Sequence, residues 1–122
     1  MAFSYSEIWM KQNKFKKLLQ SYKQIELMYL FGSTVKQADN KKKRDTDIAV
    51  LLNKIPTGMD GLDFRTKLVD ELKFFFDTPI DLVVLNSSPV ALKHQVLKYG
   101  KLLYERNEGV AKKFFIETVT EY

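Results

Sequence analysis

Three short stretches hold the residues best suited to chemistry. Asp45-Thr46-Asp47 opens the apolar run Ile48-Ala49-Val50-Leu51-Leu52. In an extended chain, side chains two apart point the same way, so both carboxylates share one face. Their α-carbons then lie about 6–7 Å apart, a span that suits two cations about 3.5–4 Å from one another between the acids. Two aspartates beside so apolar a strand repel each other unless a cation lies between them; the plainer reading is a solvated strand start. Asp81 interrupts a second apolar run, Ile80 to Leu85, where burying a lone carboxylate is costly. It either faces the first pair from an adjacent strand or points to water from an edge strand. Leu30-Phe31-Gly32-Ser33 runs an apolar strand into a glycine and a small hydroxyl. Glycine lets the backbone approach a ligand closely, and a serine hydroxyl can bond a phosphate oxygen, although the pair alone also fits an ordinary turn.

The chain has no cysteine and one histidine, His94, so a catalytic metal here rests on carboxylates. Oxygen ligands select a hard cation such as magnesium or manganese. His94 reads as a surface or half-buried helix residue rather than a catalytic base. Lys36, Lys41, Lys42, Lys43 and Arg44 crowd into one stretch, opposed only by Asp39 before Asp45. Such a run is a solvated loop, or it draws in nucleotide phosphates or nucleic acid. The aromatics Phe74-Phe75-Phe76 and Phe114-Phe115 read as core with one ring left toward a partner.

The elements that must position these residues follow from periodicity. The chain has 122 residues, 45% apolar and 29% charged, with a net charge of +5. This suits a single soluble domain over 1–122 with a core of its own. The start lacks a basic-then-apolar leader and no apolar run reaches membrane-spanning length, so a cytoplasmic protein with no membrane partner is expected. Ser4 and Glu7 fit a capping box for a helix over 4–21. Residues 25–31 and 47–52 read as strands buried on both faces, and 53–61, with Pro56, Gly58 and Gly61, as a loop. A helix over 62–76 with Leu62, Arg65, Val69, Leu72 and Phe76 on one stripe precedes a buried strand over 80–85. Ser88-Pro89 starts a helix with Leu92, Val96 and Tyr99 inward, and Gly100 ends it. A short strand over 102–104 follows, then a helix capped by Asn107 with Val110, Phe114, Phe115 and Val119 inward or toward a partner. The order is that of an α/β (α+β) domain around a small mixed sheet flanked by helices.

Taken in order, glycine-serine, a loop, Asp-x-Asp and a later strand aspartate resemble the DNA polymerase β-type nucleotidyltransferase superfamily. More narrowly, the chain is similar to its minimal nucleotidyltransferase (MNT) family. The resemblance runs from Tyr29 to Glu105 and includes Asp81-Leu82-Val83-Val84-Leu85-Asn86 and Gly100-Lys101-Leu102-Leu103-Tyr104-Glu105. It implies the polymerase β-like fold, with Gly32 and Ser33 on the triphosphate of ATP. Asp45 and Asp47 would bind two Mg2+ ions (or Mn2+), and Asp81 would complete the metal site and help deprotonate the attacking hydroxyl. Lys36 and Arg44 join the nucleotide contacts. Where the family has alanine-arginine-glycine one residue past glycine-serine, this chain reads Val35-Lys36-Gln37 after Thr34. Lys36 keeps the positive charge without arginine's two-pronged grip, and Gln37 makes a positive-φ turn harder. The resemblance further implies a helical HEPN-family partner, a toxin whose tyrosine receives AMP, with this chain as antitoxin. Two other functions stay open: a binding module that only masks its partner, and a nucleic-acid 3′-end nucleotidyltransferase drawing on the basic loop. A homo-oligomer is also open.

Overall fold

The computed structural model describes residues 5–32, 45–76 and 78–121, and for 5–9 the backbone only. Within them the chain forms α1 (Tyr5–Ser21), β1 (Ile25–Phe31), β2 (Thr46–Leu52), α2 (Gly58–Leu72), β3 (Ile80–Val84), α3 (Val90–Tyr99), β4 (Lys101–Glu105) and α4 (Val110–Glu121). This is the order of helices and strands that the periodicity predicts. Ser4 of the expected capping box lies outside the described residues.

The strands make one mixed sheet in the order β3-β2-β1-β4. β1 pairs antiparallel with β2 and β4, and β2 runs parallel to β3. It follows that β2, β3 and β4 all start at the end of the sheet where β1 finishes. One face packs on α1 and α2 through Leu19, Tyr22, Ile48, Val50, Leu68 and Leu72. The other packs on α3 and α4 through Leu27, Tyr29, Ala49, Leu85, Val96 and Phe114. Ile48, Ala49 and Val50 are all fully buried, as a strand covered on both faces requires. Ile25 and Met28 face the same layer although three residues apart; the register shifts between Ile25 and Leu27 and so switches the alternation. Arg106 fastens α1 to the sheet: its guanidinium donates to the Ile25 carbonyl at 2.7 Å and to the Tyr22 carbonyl. The Tyr22 hydroxyl donates to Glu71 across the first layer. Burial first, and then that carboxylate, push this phenol above its ordinary range.

Several local expectations are corrected. α2 begins at Gly58, not residue 62, and ends at Leu72, not residue 76. Gly58 adopts φ +57, and a Cβ on Gly61 would lie 2.8 Å from the Pro56 carbonyl oxygen. Both glycines therefore serve the first turn of the helix instead of a loop. At the other end Phe74 and Phe75 donate to Glu71 and Leu72 in tight turns, which swings Phe75 onto Phe15 with ring centres 5.1 Å apart. The inward stripe of α2 is Phe64, Leu68, Val69 and Leu72; Leu62 and Arg65 are exposed. β3 is an edge strand in which Leu82 alone is buried, and Leu85 opens a 3-10 turn. Ser88 does not cap α3, for its hydroxyl bonds back to the Val84 carbonyl at 2.8 Å. Tyr99 is exposed; on α4, Phe114 and Thr118 face inward, and of the two alternatives for Phe115 and Val119 both residues take the exposed one. α4 is capped by Glu105, whose carboxylate accepts the Ala111 N–H at 2.9 Å.

Candidate active site

The end of the sheet where β1 finishes gathers the residues singled out for chemistry. Asp47, second residue of β2, sits directly across from Phe31 on one side and from Asp81 on the other. The parallel pairing thus sets Asp47 and Asp81 side by side on neighbouring strands, on the α3/α4 face. Asp47 is half-buried, while Asp81 and Asp45 are exposed. Both sequence readings of Asp81 meet in one geometry: it lies on an edge strand open to water, and it stands beside the first pair. Asp45 precedes β2 by one residue and extends the row past the end of the sheet.

Thr46, between the two acids, turns to the other face and is 3% exposed. Its hydroxyl bonds that of Thr78, and its N–H donates to the Pro79 carbonyl at 2.7 Å. At the far end of β2, Asn86 grips the Leu52 backbone on both sides. Its Oδ1 accepts the Leu52 N–H at 2.9 Å, and its Nδ2 donates to the Leu52 carbonyl at 2.7 Å. These clamps tie β2 to the chain on either side of β3, the Thr46 clamp beside the register that pairs Asp47 with Asp81. Neither Thr78 nor Asn86 stood out in the sequence as a clamp; the available signal was a polar residue at the very end of an apolar run.

Gly32 follows β1 with φ +84, a conformation that favours glycine. A Cβ built there would overlap the Asp47 carboxylate, 2.8 Å from its Cγ. Only a residue without a side chain lets the turn lie on that carboxylate. The stretch expected to follow it on the phosphates, Ser33 and Lys36, lies outside the described residues. So does the basic run through Arg44. His94 is half-buried on α3.

Among the described residues no three His, Asp or Glu side chains converge into a metal cage. Magnesium does not require one, since it commonly takes one or two carboxylates and completes its shell with water and substrate phosphates. The paired acids, with a Cβ-free turn packed on one of them, fit that mode of binding. No helix among the described residues is long and apolar enough to cross a membrane.

Comparison with known proteins places the chain in a family. The family model described as polymerase beta, nucleotidyltransferase, matches residues 13–109. The protein adenylyltransferase MntA of Shewanella oneidensis is 34% identical over 116 residues, spanning 93% of this chain and 78% of that protein. A toxin–antitoxin structure with AMP-PNP superposes at TM-score 0.68 with 31% identity, covering 91% of this chain and 86% of the other. The tri-AMPylated Shewanella oneidensis HEPN toxin in complex with its MNT antitoxin superposes at 0.65 with 30% identity, covering 93% and 85%. The match spans both aspartate-bearing strands and the glycine turn after β1, and the chain belongs to the polymerase beta nucleotidyltransferase family.

Proposed function

We propose that this chain, as a single cytoplasmic domain, transfers AMP from ATP to a tyrosine hydroxyl of a HEPN-family partner and so acts as its antitoxin. The observation that carries the reading is the Asp47–Asp81 register, with Gly32 packed on the Asp47 carboxylate. The similarity to an adenylyltransferase and to an AMPylated HEPN complex supplies the acceptor class.

In this reading Gly32 and Ser33 bring backbone and hydroxyl donors to the triphosphate, with Lys36 and Arg44 adding positive charge. Asp45, Asp47 and Asp81 would hold magnesium, which when bound neutralises charge on the attacking and leaving oxygens of an in-line displacement. Asp47, half-buried and backed by Gly32, orients the α-phosphate side of the site. Asp81, exposed at the sheet edge, is open to an incoming hydroxyl and would take up its proton. The tyrosine oxygen bonds the α-phosphorus as the bond from that phosphorus to the bridging oxygen breaks, and pyrophosphate leaves.

The test is incubation of the purified chain with isotope-labelled ATP, magnesium and the Shewanella oneidensis HEPN toxin, followed by mass spectrometry of the toxin. One or more AMP groups on tyrosine are expected with the native chain, at a rate that falls at least about 100-fold with Asp47→Asn. Transfer that persists in both Asp45→Asn and Asp47→Asn sinks the carboxylate mechanism.

A further inference from the structure

A second surface opens at the same end of the sheet, on the face opposite the carboxylates. Between α1, the turn after α2 and β4 lies a groove of about 640 Å³ with Phe15, Phe75, Phe76 and Leu103 in its lining. A neighbouring hollow of about 530 Å³ continues it past Lys11 and Phe75 to Met10 and Phe74. Phe74 is 83% exposed, a large apolar side chain left on the surface beside an apolar groove. Among the described residues β4 is the last strand on its side of the sheet, and its residues 101–105 line the groove.

The charge of this surface points to the occupant. Lys14, Lys16 and Lys101 line it. Among the described residues two carboxylates line it, and both make internal hydrogen bonds: Glu71 accepts the Tyr22 hydroxyl, and Glu105 caps α4. The groove therefore presents an apolar floor under a positive rim. A second copy of this chain, itself at +5, is a poor electrostatic match. Position matters as well. Lys101, at one end of the groove, pairs with Leu30, two residues before Gly32. A segment seated there has its neighbouring residues at the end of the sheet that carries Asp47 and Asp81.

We propose that this groove seats the protein acceptor through an acidic segment of that partner bearing apolar anchors. The inference rests on the adenylyl-transfer reading above, and it names the surface that brings the acceptor to the site.

The test is calorimetric binding of the Shewanella oneidensis HEPN toxin to the full chain. The triple variant Phe74→Ser, Lys14→Glu, Lys16→Glu changes only exposed positions, and an unchanged thermal shift with ATP and magnesium verifies its fold. Its affinity for the toxin is expected to fall at least about tenfold, the loss of one good anchor. Binding by the native chain should weaken as salt rises, because the rim acts through screened charge. Phe115→Ser with Val119→Ser, on the exposed face of α4, should bind as the native chain does. Native-like binding by the groove variant overturns the proposal, as do loss confined to the α4 variant and failure of the native chain to bind the toxin. A self-dimer that the groove variant dissolves overturns it too, in favour of a second copy. A native chain that binds through the groove yet leaves no AMP on the toxin supports this inference and sinks the transfer reading alone.

Discussion

At Gly32 a missing methyl group lets backbone and carboxylate share one space. The residue combines φ +84 with a Cβ position that overlaps Asp47. Gly32→Ala therefore meets both backbone strain, about 1–2 kcal/mol, and displacement of the acid. AMP transfer by this variant is expected to drop at least about 100-fold with a lowered melting temperature, since about 2.7 kcal/mol at the barrier gives that factor. Asp47→Asn separates the two effects. It removes the charge and keeps the shape, so transfer should fall by a similar factor while stability holds or rises slightly. The stability follows from relief of repulsion with Asp81, its register neighbour on β3. Thermal melts and initial-rate measurements on the two variants check this: a stabilised Gly32→Ala, or an Asp47→Asn that melts far earlier, contradicts it.

β2 carries the acids because it is pinned at both ends to the chain around β3. Near the site the pin is Thr46 with Thr78 and Pro79; at the far end it is Asn86 on Leu52. Asn86→Ala leaves the Leu52 N–H and C=O without these partners, at a cost of about 2–3 kcal/mol for the half-buried pair. The urea midpoint should shift down accordingly. Transfer per folded molecule should change little, because Asn86 lies at the opposite end of β2 from Asp47. A loss of transfer as large as that of Asp47→Asn would mean that the far clamp sets the register of the acids unaided.

Across the whole chain, a ligand that binds only the folded state raises its stability by mass action. ATP with magnesium at about 100 times its dissociation constant adds about 2.7 kcal/mol, a shift of several degrees in the melt. Asp81→Ala should remove most of that shift without lowering the melt of the ligand-free protein, because Asp81 is exposed and its loss relieves repulsion with Asp47. Scanning calorimetry with and without both ligands reads the outcome. A full shift in the variant would take Asp81 out of the nucleotide site.

Much of this architecture was legible from local pattern. The runs at 25–31 and 47–52, the alternation of helices and strands, and the face shared by Asp45 and Asp47 all follow from the periods of strand and helix, which any short window of sequence contains. Glycines misled at Gly58 and Gly61, because the same residue that breaks a helix also fits where a turn needs positive φ or a carbonyl passes at 2.8 Å. The apolar run of β3 read as a buried strand. Its place at the sheet edge, with Asp81 both exposed and beside Asp47, came from pairing with β2 across thirty-odd residues of intervening chain. The same holds for Glu105 capping α4 and for Phe75 folding back onto Phe15. The types of residue available for the site were set by the sequence alone. Which of them stand together was decided by tertiary structure, because strand order and register are chosen by burying both faces of the sheet at once, and that contest involves every segment of the chain.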